Sequence, residues 1–98
     1  MPVTSGIAKT GAKSSIGTTA LQLTGISIKC VFGVLIKAAS TNTGIVYAGL
    51  AGVTRGTADA TDGMELEAGD AVLIEVDNAD KVWVIASAAG QKVFWAAV

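Results

Sequence analysis

The sequence predicts an all-β protein, a small antiparallel β-sandwich or barrel with an extended N-terminal arm. Three observations carry this expectation. From residue 20 onward, short apolar runs are broken by turn signals about every 8 to 12 residues, the spacing of sandwiches and small barrels. No segment keeps apolar residues at helical spacing, so a long helix is not expected. The runs are also apolar on both faces. Alternation puts Val82, Val84 and Ala86 on one side of a strand and Trp83 and Ile85 on the other. An antiparallel sheet that meets water usually shows one polar face. A short chain has little material to cover two apolar ones, so a second copy or a larger surface is the expected cover.

In chain order, residues 1–19 are rich in Gly, Ala, Ser, Thr and Lys, with Val3, Ile7 and Ile16 isolated among them. They show no strand or helix period. They read as an extended arm ordered on a partner, or as a terminus without a role. Residues 20–98 form the β domain. Runs at 20–23 and 26–36 flank Thr24-Gly25, and Gly33 inside the second suggests a bulge or a close backbone approach. Residues 40–44 are a turn, 45–48 a strand, and 49–63 a loop with a short strand at 53–54. Strands at 64–66, 71–76, 81–87 and 91–97 follow, separated by turns at 67–70, 77–80 and 88–90.

The composition excludes several classes of function. With 98 residues there is one small domain, and folding at this size buries only about 60–65% of the unfolded surface. Cys30 is the single cysteine, so there is neither an intrachain disulfide nor a multi-cysteine metal site. Charged residues make up 15% of the chain against roughly 25% in an ordinary domain, which implies a surface suited to packing between subunits. The net charge is −1 and no basic run exists, so nucleic acid is not an expected partner. The longest apolar stretch, 30–36, is far short of the roughly 20 residues that span a bilayer, and residues 1–19 lack a signal-peptide core. No membrane partner and synthesis in the cytoplasm are therefore expected.

Catalytic and metal chemistry finds little support. There is no histidine, hence no histidine-based triad or zinc site. The carboxylate pairs Glu65/Glu67, Asp59/Asp62 and Asp77/Asp80 lie in or beside turns, where such side chains cap backbone. The loop Asp59-Ala60-Thr61-Asp62-Gly63 fails as a calcium loop, because Gly63 stands where a ligand is needed. Gly6-Ile7-Ala8-Lys9-Thr10-Gly11-Ala12-Lys13-Ser14 approaches a phosphate loop, but Ala12 breaks its spacing. No catalytic residue, metal or cofactor is assigned. Trp83 and Trp95 lie within apolar strands, which favours core or subunit contact over sugar stacking.

One resemblance extends over residues 33–95. It runs through Gly33-Val34-Leu35-Ile36-Lys37-Ala38, Asn42-Thr43-Gly44-Ile45-Val46-Tyr47-Ala48-Gly49, Asp62-Gly63-Met64-Glu65-Leu66-Glu67-Ala68-Gly69-Asp70 and Val76-Asp77. It ends on Lys81-Val82-Trp83-Val84-Ile85-Ala86-Ser87 and Gly90-Gln91-Lys92-Val93. This series resembles small structural proteins of tailed bacteriophages. The resemblance implies a virion component of β-sandwich type, attached to the capsid. It does not cover the first 32 residues, and no repetitive fibre shaft is present.

The expectation is a capsid decoration, or cement, protein on the capsid surface, partnered by the major capsid protein and by itself as a homotrimer. Phe32, Trp83, Phe94 and Trp95 are the expected apolar anchors, with Val3, Ile7 and Ile16 contributed by the arm. The alternative is a small module that binds host glycan, which requires a solvent-exposed Trp or Tyr flanked by Asp or Asn.

Overall fold

The computed structural model describes residues 9–57 and 60–98. Eight strands run in the order β1 (Lys9–Ile16), β2 (Leu21–Gln22), β3 (Val34–Ala38), β4 (Val46–Gly49), β5 (Met64–Leu66), β6 (Ala71–Ile74), β7 (Trp83–Ala86) and β8 (Gln91–Ala97). One 3-10 turn, Ala79–Lys81, precedes β7. The strands form two four-stranded sheets, β1-β8-β3-β6 and β2-β7-β4-β5. Every pairing is antiparallel. The protein is all-β, as the turn spacing predicts.

Alternation decides what lies between the sheets. Val34, Ile36 and Ala38 of β3 point inward, as do Val93, Trp95 and Ala97 of β8. Val46 and Ala48 of β4 with Val84 and Ala86 of β7 meet them from the second sheet. The core is built from small β-branched and Ala side chains, which suit the pleated surface of short strands. Trp95 is its one large aromatic, only 7% exposed.

Two stretches depart from the sequence expectation. Residues 9–16, expected within a free arm, are a strand hydrogen-bonded along β8. Ile16, expected as a partner contact, is fully buried in the core. The register shifts between Lys13 and Ile16, with Ser15 in the left-handed region (φ 57°), and this bulge turns Ile16 inward. Residues 26–33, expected as strand, are a loop that meets the rest of the fold in one β-bridge, between Lys29 and Asn78, and in separate hydrogen bonds. The strand starts only after Gly33, whose φ of 149° favours glycine. A Cβ there would collide with the carbonyl oxygen of Ile74. The N–H groups of Val31, Phe32 and Gly33 all donate to the carbonyl oxygen of Val98, folding this loop over the end of β8.

Side-chain amides fasten the loops to the sheets. Asn42 and Lys92 exchange two hydrogen bonds, from Asn42 Nδ2 to Lys92 O (2.8 Å) and from Lys92 N to Asn42 Oδ1 (2.9 Å). Asn78 Oδ1 accepts from the N–H groups of Ile28 and Asp80. Gln91, only 1% exposed, accepts at Oε1 from the N–H groups of Thr43 (3.0 Å) and Gly44 (2.9 Å), and its Nε2 donates to Ala89 O (2.8 Å). Among the described residues no buried side-chain polar atom lacks a partner. Gln91→Leu keeps the volume but leaves two backbone donors without an acceptor. It should lower unfolding free energy by about 2–4 kcal/mol, read as an earlier denaturant midpoint in tryptophan fluorescence.

Candidate interaction surface

On the outer face of the first sheet, large apolar side chains meet solvent side by side. Leu35 and Lys37 of β3, Phe94 and Ala96 of β8, and Leu73 of β6 alternate away from the core. The registers place Leu35 between Ala96 and Leu73, and Lys37 between Phe94 and Ala71. Thr10 and Ala12 extend the row beside Ala96 and Phe94. Leu35, Leu73 and Phe94 are 40–47% exposed. Leu35 and Phe94 line a shallow trough of about 510 Å³ with Thr10, Ala12 and Lys37 on its walls, and Leu73 adjoins Leu35 on the neighbouring strand. The Lys92 ammonium lies 4.8 Å from the Phe94 ring centroid, a cation–π contact that leaves the ring's flank open. Its apolar members adjoin one another across three strands, unlike the scattered single side chains of an ordinary surface.

The expected anchors fall into separate places. Phe32 is 65% exposed on the loop ahead of β3, next to Val31 at 85%. Phe94 is on the outer face just described. Trp83 is half-buried on the outer side of the second sheet, opposite Gln22 and Gly49. Trp95 and Ile16 are inside the sandwich, so neither is available as a surface anchor. Trp95 is drawn inward by Gly11, whose missing side chain leaves room for the indole; a Cβ there would sit 2.6 Å from Trp95 Cζ2. Val3 and Ile7 lie outside the described residues. Leu35 and Leu73 were not singled out as anchors, although each occupies the opposite parity from the core residues of its own strand.

The polar groups serve the loops. Asp62 Oδ1 accepts from the hydroxyls of Thr54 (2.7 Å) and Thr57 (2.6 Å), while its Oδ2 accepts from Thr57 N–H (3.0 Å). Thr54 and Thr61 hydroxyls bond at 2.8 Å, so this cluster pins the long loop ahead of β5. Asp70 Oδ2 accepts from Glu67 N–H and closes the turn before β6. Among the described residues no three ligating side chains gather as a metal site would need. Lys9 to Ser14, the end of the phosphate-loop near miss, are in β1, a strand where that motif needs a loop leading into a helix. No described helix is long and apolar enough to cross a membrane.

No family model, curated protein or solved structure matches this chain.

Cys30 lies beside the exposed ion pair of Asp77 and Lys81 (2.7 Å). Partial burial, and then the negative charge of Asp77, pushes its thiol above the ordinary value. A raised pKa leaves less thiolate at a given pH, so alkylation of Cys30 near pH 8 should be slower than that of free cysteine. Asp77→Asn removes one of the two causes and should speed the reaction, as followed by mass spectrometry with iodoacetamide.

Proposed function

We propose that this chain is a virion structural protein of a tailed bacteriophage, a capsid decoration protein that binds the assembled shell and stabilises it through apolar contact. The observation that carries the reading is the exposed apolar face of Leu35, Leu73 and Phe94 on a chain poor in charge. Such a face lowers the free energy of the system when covered. At roughly 25 cal/mol per Å², a few hundred Å² of apolar contact contributes several kcal/mol before ordering costs. Repetition over a symmetric shell multiplies the effect, because each copy in a ring binds from an already raised local concentration. The resemblance over residues 33–95 implies a capsid-attached virion component, which supports the same reading, and the partner proposed for this face is the major capsid protein of the shell.

A host-glycan module is the weaker reading. It needs an exposed Trp or Tyr, and Trp95 is buried while Trp83 and Tyr47 are half-buried. The well-exposed aromatics, Phe32 and Phe94, lack a polar handle for sugar hydroxyls.

Quantitative mass spectrometry of purified virions should return copies comparable with the major capsid protein. A handful of copies would move the chain to a vertex or tail, and absence would end the virion reading. Phe94→Ser should lower shell occupancy about tenfold or more with little change in melting temperature, since the ring is a surface anchor.

A further inference from the structure

Among the described residues the first sheet has two open edges, β1 on one side and β6 on the other. The hydrogen bonds beside them show which backbone groups each edge leaves free. Gly33 and Val98 exchange both N–H···O bonds, and Ala39 N–H donates to Lys92 O. Bonded pairs recur every second residue in an antiparallel ladder. Phe94 and Ala96 therefore turn their backbone toward β3, while Val93, Trp95 and Ala97 turn theirs toward β1. The β1 partners of these three are Lys13, Gly11 and Lys9, which leaves Thr10 and Ala12 pointing outward from the sheet. At the other edge, Ala38 N–H donates to Asp70 O, so Val72 and Ile74 face β3, and Ala71 and Leu73 point outward.

The two edges differ in charge and in direction. Asp70 and Glu75 flank β6, whereas β1 carries Lys9 and Lys13. Among the described residues the one ion pair is Asp77–Lys81, so these four charges are not paired within the monomer. Two β6 edges side by side would gather four carboxylates, and two β1 edges four ammonium groups. Like charges at that spacing repel and unlike ones attract. Three antiparallel steps across the sheet leave β6 running opposite to β1. A copy rotated about an axis along the strands thus meets β6 with its β1 already antiparallel.

We infer that β6 of one copy pairs with β1 of the next, extending the first sheet across the subunit boundary. The register that uses the free groups bonds Ala71 to Ala12 and Leu73 to Thr10, and it sets Asp70 opposite Lys13. Because the two edges are different, the contact is head-to-tail, and identical copies joined this way close into a ring when the rotation between neighbours divides a full turn. β6 is the less defended edge, a run of Ala, Val, Leu and Ile without Lys, Pro or bulge. On β1 the bulge falls after Lys13 and spares the segment that pairs.

This inference does not rest on the virion reading, and its test uses the isolated full chain. Analytical ultracentrifugation should find a closed oligomer. Lys13→Asp and Asp70→Lys should each weaken association roughly tenfold or more, and the double variant should recover it. Leu73→Pro removes an N–H that no described residue of the monomer uses, so it should give a monomer with unchanged circular dichroism, whereas Leu73→Ala, which trims the side chain but keeps that N–H, should still associate. It decides the matter even if Asp70→Lys, which also loses the turn bond to Glu67 N–H, unfolds. A wild-type chain that stays monomeric, or an oligomer indifferent to Leu73→Pro, would overturn the inference.

Discussion

Burial of the Gln91 amide is the constraint on which much of this structure depends. It stands at the first residue of β8, the strand that holds β1 on one side and β3 on the other. Its carbonyl oxygen satisfies two backbone donors of the turn before β4, and its NH₂ group bonds the turn before β8. A turn belonging to the second sheet is thereby fixed to a strand of the first. An amide in that position is stable only with all its partners in place, so the geometry around it has little freedom. The inward positions of β8 follow from that anchor: Val93, Trp95 and Ala97 go to the core, and Phe94 and Ala96 go to solvent.

Much of the fold was legible because short strands advertise themselves by alternation and turns. β4, β7 and β8 carry β-branched or aromatic residues between clear turn signals. β1 was not legible, and its physics explains why. Lys-Thr-Gly-Ala-Lys-Ser-Ser presents almost no apolar side chain, so no period appears. Its inner face receives its apolar cover from the neighbouring strand, where the Trp95 indole lies over Gly11. A strand held by backbone bonds and a neighbour's side chain leaves no hydrophobic pattern of its own. Residues 26–33 show the converse. They are apolar enough for a strand, yet a left-handed glycine and three amides converging on Val98 hold them as a loop.

The candidate surface was half legible. Phe94 stands out as a large apolar residue opposite in parity to Val93 and Trp95. Its companions Leu35 and Leu73 come from strands far apart in sequence, and only the register brings them together. Trp95 misled for a related reason. Parity assigns a side chain to one face of a strand, but which face is covered depends on the second sheet. With Trp95 inside, the outer face is left to aliphatic side chains, one phenyl ring, Thr10 and two lysines.

The pairing of β1 with β8 also governs when the molecule can form. These strands lie near opposite ends of the described chain, so the first sheet cannot be completed until almost all of it has been synthesised. Closing so long a loop costs entropy before any contact rewards it, which places this fold among the slower ones for its size. Until β8 arrives, β3 and β6 form a two-stranded ribbon with Val34 and Ile36 uncovered, and such a ribbon is marginal in water. A ribbon with uncovered apolar side chains and unpaired edges is the kind of transient species that pairs with its neighbours before a sheet is complete.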